Sequence, residues 1–325
     1  MTNSFSMCEK PMFDIKLYEK SDKDEWNRFV GTSKNGTFLL LRDYMDYHSD
    51  RFTDCSLLFY KNGKLHALLP ANRKGDTLYS HQGLTYGGLI MNEHNTADET
   101  VTLFSEMNAF LKSLGIRHVT YKCIPHIYHR LPSEEDLYAI FRTCNARLAD
   151  RNISSTICMN SQLKWSRDRK YGINRARNNQ VEIEADSQEW AGFWQVLNYN
   201  LNHKYGAKPV HSLDEILLLK SRFPNNIRLY VAKKEGVVIG GTVLYLTPTV
   251  AHAQYISAND EGKHLRVIEA IYNKILHEDL TGFTYFDFGK STEQDGSILN
   301  TSLIYQKEGF GGRGICHDWY EWDIE

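Results

Sequence analysis

No Cys-x-x-Cys pair occurs in this sequence of 325 residues. Its six cysteines (Cys8, Cys55, Cys123, Cys144, Cys158 and Cys316) are dispersed along the chain. Such spacing speaks against a zinc site or a disulfide framework, and the expectation is buried free thiols in a reducing cytoplasm. No apolar run approaches the roughly 20 residues a membrane helix needs. The first twenty residues, "MTNSFSMCEKPMFDIKLYEK", contain no apolar h-region, so a cytoplasmic protein without membrane insertion is expected. Charge of one sign is lacking too. A formal net charge of -2 argues against a general polyanion-binding surface, and DNA is not an expected partner, although local basic patches stay open. Nor does a Pro-rich or low-complexity linker interrupt the chain.

What the sequence does have is a globular composition, 42% hydrophobic and 24% charged, with 19 Tyr, 15 Phe and 6 Trp to furnish cores or grooves. Its length suits one large domain or two ordinary ones. A weak internal repeat favours two. "CSLLFYKNGKLHALLPANRKG" and "RLYVAKKEGVVIGGTVLYLTPTV" each read as a hairpin, turning at Asn62 and Gly63 and at Glu235 and Gly236. Each leads to a further strand bearing a tyrosine, "TLYSHQGLTYGGLI" and "VAHAQYISAND". An amphipathic helix follows in both halves ("ADETVTLFSEMNAFLKSLG" and "RVIEAIYNKILHEDLTG"), then a strand, "IRHVTYKCIP" or "FTYFDFGKS". Both halves open with helices, for which Ser21, Ser187 and Ser212 are the expected N-caps. Two α+β units are expected, 1–160 and 161–325.

Within "TYFDFGKS" (284–291), alternation puts Asp287 on the face opposite Phe286 and Phe288, next to Gly289. A carboxylate there either orients or deprotonates an incoming amine, or caps neighbouring backbone amides. Ser291, Thr292 and Glu293 are placed to share that role. The segment "KWSRDRKYGINRARNN" holds Lys164, Arg167, Arg169, Lys170, Arg175 and Arg177. As a helix it is either a phosphate-binding element or a solvated basic face. Downstream, "NYNLNHKYGAKPVHS" supplies His203, Lys204, Tyr205, Lys208 and His211; a histidine there can act as a general base or simply hydrogen-bond at the surface. His203 and His211 do not have metal-ligand spacing, and no metal site is expected.

Two helices, a long hairpin, a strand, a helix and another strand is an order that resembles the GNAT acyltransferase fold. Two such units in one chain resemble the Fem-type aminoacyl transferases and other tandem-GNAT proteins. "SHQGLTYGG" (80–88), "RDRKYGINRARNN" (167–179), "YISAND" (255–260), "FDFG" (286–289) and "YQKEGFGG" (305–312) carry this resemblance over nearly the whole chain.

The resemblance implies a fold of two tandem GNAT-like units, each a mixed, mostly antiparallel sheet flanked by helices. It also implies transfer of an acyl or aminoacyl group from an activated donor, acyl-CoA or aminoacyl-tRNA, to a primary amine. The acceptor would be a small molecule or a cell-envelope precursor. Some relatives draw on aminoacyl-tRNA to extend peptidoglycan precursors. A degenerate pair that only binds a phosphorylated glycan or lipid precursor is the non-enzymatic alternative. Lys307 matches the lysine that, in Fem-type proteins, is thought to stabilise the oxyanion as the acyl carbonyl is attacked; alternatively its glycines form a bulge and leave it exposed. Asp287, His203 or the substrate itself would take the amine proton. Arg167, Arg169, Lys170, Arg175, Lys204 and Tyr205 would bind substrate, with Tyr86 and Tyr255 either general acids or core residues. The sequence departs from the CoA-binding pattern: "NDEGKHLRVIEA" has Gly262 but no second glycine at the expected spacing.

Overall fold

Asn62 (φ 52°) and Gly63 (φ 73°) both occupy the left-handed region, as do Glu235 (φ 51°) and Gly236 (φ 79°). Two consecutive positive φ values close a tight hairpin whose twist matches its strands. Leu57–Lys61 therefore pairs antiparallel with Lys64–Leu69, and Ile227–Lys234 with Val237–Leu246. The computed structural model describes residues 11–324, except the side chains of Lys204 and Tyr205, so Cys8 lies outside the described residues.

Packing divides the chain into two compact units. The first takes residues up to Gly36, Leu40–Ala149 and the C-terminal residues from Trp319; the second takes Thr37–Leu39 and Asp150–Asp318. In the first, Thr77–Tyr79 and His118–Lys122 pair in parallel on either side of the helix Ala97–Ser113. Thr96 and Glu99 form a capping box at that helix, and Leu103, Phe104, Met107 and Leu111 bury its inner stripe. On its other edge His118–Lys122 pairs antiparallel with residues 319–323 of the strand Arg313–Asp323.

The second unit repeats the scheme. Val250–Ala258 and Tyr285–Lys290 pair in parallel around the helix Val267–Lys274, and Tyr285–Lys290 then pairs antiparallel with residues 154–158. Each post-helix strand thus holds an equivalent place in its own unit. Tyr272 centres the aromatic core, with ring centroids 5.5, 5.1 and 5.3 Å from Phe286, Phe288 and Phe310. Each buried phenylalanine contributes about 1.5–3 kcal/mol, enough to fix which face of its strand looks inward.

Three local expectations are corrected. The stretch 77–90 does not form one strand; it contributes to two short ones, Thr77–Tyr79 and Ile90–Met91. Between them Gly87 folds back so closely that a Cβ would lie 1.7 Å from the Ser80 carbonyl oxygen. Ser21 caps nothing; it sits inside the turn Lys20–Asp22, where Glu19 and Asp22 make the reciprocal cap before the helix Lys23–Thr32. Cys55, Cys123 and Cys144 are buried, but Cys158 and Cys316 are exposed.

Candidate active site

Phe286 and Phe288 enter the core of the second unit, which turns Asp287 to the other face of the strand, where it is 0% exposed. Thr156 Oγ1 donates to Asp287 Oδ1 (2.9 Å), and His252 Nδ1 donates to Oδ2 (2.8 Å). These partners follow from register, because Asp287 stands opposite Thr156 on one neighbouring strand and His252 on the other. Burial alone would raise the carboxyl pKa. The hydrogen bond and charge of His252, with His317 and Thr156, outweigh it and hold Asp287 ionised, well below the usual carboxylate range. With both oxygens engaged and none of its surface exposed, this carboxylate is built to orient its neighbours rather than to collect a proton from an incoming amine.

The strand is irregular between Asp287 and Lys290, and Gly289 adopts φ 75°. Successive carbonyls of a regular strand point to opposite sides. Here the left-handed glycine lets two successive carbonyls serve one donor: Lys307 Nζ donates to Gly289 O (2.8 Å) and Lys290 O (2.7 Å). Lys307 lies on the helix Thr301–Gly309 and is buried, not exposed beside a glycine bulge. Desolvation pulls its pKa down to about 8, partly offset by attraction to Asp287. An ammonium has three N–H groups, and the third has no acceptor among the described residues.

His317 is buried in the same cluster, and neither ring nitrogen has a hydrogen-bond partner among the described residues. Desolvation lowers its pKa to about 4, against the attraction of Asp287, so the ring is neutral near pH 7. Ser155 and Ser291 are also buried, with hydroxyls that have no partner among the described residues. Unpaired buried polar atoms are costly and few in native proteins, so each calls for an explanation such as a catalytic role or a bound water or ion.

Asp287 and Lys307 are brought together; the other expected residues are not. His203 is exposed on the helix Trp190–Tyr205, its ring tilted against Tyr199 and its Nδ1 bonded to Tyr199 O (3.1 Å). The Lys204 and Tyr205 side chains lie outside the described residues. Tyr86 is buried in the first unit against Tyr128, with centroids 4.6 Å apart. Tyr255 Oη meets His211 Nδ1 at 2.6 Å, and burial pushes its pKa up to about 12. On the basic helix Arg167–Asn178, Arg169 is committed to Glu269 (2.5 Å) and lies over the Phe310 ring, while Arg175 contacts His264 (2.6 Å). Arg167 and Lys170 are exposed. Three members of the cluster, His252, His317 and Thr156, were not singled out from the sequence. Only strand register joins them to Asp287, and "VAHAQYIS" and "GICHDW" bear no mark of it.

Neither a family model nor a curated protein sequence matches the chain. Solved structures do. FemX superposes with a TM-score of 0.66 at 9% identity, covering 96% of this chain and 97% of that one. The fold is the Fem-like tandem-GNAT fold. L-PGS from Bacillus licheniformis shares it at a TM-score of 0.60 and 13% identity, covering 94% and 92% of the two chains. A tandem GNAT protein from the clavulanic acid biosynthesis pathway follows at 0.50 and 9%, covering 96% and 99%. Within this Fem-like fold the Asp287 and Lys307 cluster lies wholly in the second unit.

Proposed function

We propose that the protein is an acyl or aminoacyl transferase whose chemistry is carried by the second unit, with a primary amine as acceptor. The supporting observation is Lys307: a buried ammonium pinned by two backbone carbonyls, beside an ionised carboxylate, with one N–H to spare. Attack of an amine on an activated carbonyl places negative charge on the carbonyl oxygen. A prepositioned cation in a desolvated site stabilises that charge by roughly 3 kcal/mol or more. Asp287 keeps the ammonium charged and the surrounding imidazoles oriented. The amine proton passes to the substrate itself, where it can depart with the donor's leaving oxygen.

Aminoacyl-tRNA or another activated acyl ester suits the donor role better than acyl-CoA, because the turn where CoA pyrophosphate would rest is already filled. Asn259 Oδ1 accepts the Gly262 N–H (2.8 Å), and Asp260 and Glu261 bring two negative charges to the same helix start. The acceptor is a small amine or an amine-bearing cell-envelope precursor. Aminoacyl-tRNAs and acetyl-CoA, supplied with a panel of primary amines, test this. Transfer is expected from aminoacyl-tRNA, and Lys307→Met should lower turnover about 100-fold or more with little change in KM. Wild-type turnover should fall as pH rises through about 8, where Lys307 loses its proton. Unchanged turnover in the methionine variant would remove Lys307 from the chemistry.

A further inference from the structure

On the helix Trp190–Tyr205, Gly192, Gln195, Val196 and Tyr199 recur at three- and four-residue spacing, so they share one face. That face meets the hairpin turn at Gly236, Val237 and Val238 and the segment 259–261, and together they line a groove of about 640 Å³ within the second unit. Neither Lys307 nor Asp287 lines it. Gly192 lets helix and hairpin close on each other, since a Cβ there would lie 3.1 Å from Val238 Cγ2. Val196 and Val238 are buried and form the floor, whereas Val237 (63% exposed) and Tyr199 (48%) stand out along the walls. Apolar walls left in water beside an apolar floor are where a partner's own apolar side chains gain most from burial.

The charges on the rim have one sign. Glu189, Asp260 and Glu261 line the groove, and no lysine or arginine among the described residues does. Their neutralisation is incomplete. Lys233 is shared between Glu184 (2.6 Å) and Glu189 (2.8 Å), and Lys263 serves Asp260 (3.0 Å). Glu261 is exposed and has no ion-pair partner among the described residues. Four carboxylates against two lysines leave two negative charges uncompensated, one shared by Glu184 and Glu189 and one at Glu261. That sign excludes an anionic bilayer and a nucleic acid, whose phosphates would meet like charge.

We infer that this groove docks a basic amphipathic helix of another protein. Its apolar side chains rest on Val196 and Val238 between Val237 and Tyr199, and its lysines or arginines lie over Glu189 and Glu261. From Gly192 to Tyr199 the helix advances about 10 Å, which matches about two turns of a partner helix laid in the groove. Docking is independent of transfer at Lys307, since it requires only binding.

Methyl signals of Val196, Val237 and Val238 in ¹H–¹³C spectra of the full-length protein provide the readout, each assigned by its loss in the corresponding alanine variant. The probe is a peptide of about 14 residues, long enough to form a helix, with leucine at helical spacing and lysine elsewhere. A counterpart carries glutamate in place of lysine. The lysine peptide should move the three methyl signals in a saturable titration, and the glutamate peptide should not. Val237→Ser with Glu261→Gln, read at Val196 and Val238, should weaken binding at least about tenfold, through lost apolar contact and lost charge. Val210→Ser, which changes an exposed valine of the second unit outside the groove, should leave it within about twofold. Absence of a saturable shift overturns the proposal, as does an equal response to the glutamate peptide. So does an affinity that the double variant leaves unchanged. A concentration-dependent shift without peptide, abolished by Arg167→Gln with Arg177→Gln, would also overturn it, because the occupant would then be the basic helix of a second copy. None of these results touches the assignment of Lys307, which is read by transfer alone.

Discussion

Lys307 and His317 are both basic groups whose charged forms are penalised by burial, yet the cluster treats them differently. Lys307 keeps its proton near pH 7 because two carbonyls and Asp287 surround it, whereas His317 has no hydrogen-bond partner among the described residues and stays neutral. The difference has a consequence for stability. With a folded pKa of about 4 and an unfolded value of about 6.5, only the unfolded chain binds a proton at His317 between those limits. Stability is therefore complete at neutral pH and falls as pH drops from about 6.5 toward about 4, by on the order of 2–3 kcal/mol. His317→Gln should remove that share of the acid loss in urea melts run across the interval. His81 and His129, pushed down to about 3 and about 4 by burial in the first unit, act with the same sign, so a residual slope remains. Asp287 acts lower, its depressed carboxyl losing its contribution only as pH falls below the ordinary carboxylate range. An unaltered slope in the glutamine variant would show that His317 is not held neutral. Asp287 was legible in the sequence because a charge within an aromatic strand stands out. His317 was not, since a histidine between Cys316 and Asp318 looks like a surface residue until the sheet is assembled.

At the scale of elements, the turn at residues 259–266 bears on whether the second unit can bind CoA. The helix Asp260–Leu265 starts with Asn259 capping Gly262 N–H, and a Cβ at Gly262 would lie 2.2 Å from the Ile239 carbonyl oxygen. That glycine is there so two backbones can touch, not to open a cradle for pyrophosphate. Asp260 and Glu261 add like-charge repulsion against an anion at the helix start. Calorimetry should accordingly detect no micromolar binding of acetyl-CoA; micromolar affinity with its phosphates at residues 260–266 in a soaked crystal would refute this. Elements of this kind were the most readable part of the chain. Both hairpins, both amphipathic helices and the Ser212 and Glu215 capping box formed where local chemistry put them, because turn φ values and apolar periodicity are local properties. The stretch 77–90 reads as one strand in the sequence because its break comes from Gly87 meeting Ser80, a contact that periodicity does not encode.

At the scale of the whole molecule, sequence halves and packed units are not the same thing. Trp322, almost at the C-terminus, is 4% exposed and packs in the first unit's core with Phe104 and Tyr121, at centroid distances of 6.2 and 6.0 Å. Its indole N–H donates to Asn108 Oδ1 (3.1 Å), and its strand pairs with His118–Lys122 over five residue pairs, Trp319 with Lys122 through Asp323 with His118. A tandem duplication read along the sequence predicts that each half closes on its own last strand, and nothing in "HDWYEWDIE" says otherwise. The consequence is that the first unit depends on residues far removed from it in sequence. Trp322→Ala should cost the first unit about 3–5 kcal/mol, the usual result of emptying a large aromatic site in a core. Hydrogen exchange is the discriminating measurement, because it reports each unit separately. Amides of His118–Lys122 should lose protection in Trp322→Ala, and lose most of it in a chain ending at Asp318. Amides of Ile227–Lys234 should be nearly unaffected, since their strand pairs only within the second unit. If protection of His118–Lys122 survives the truncation, the first unit is complete without the C-terminal strand, and Trp322 is a surface addition rather than part of its core.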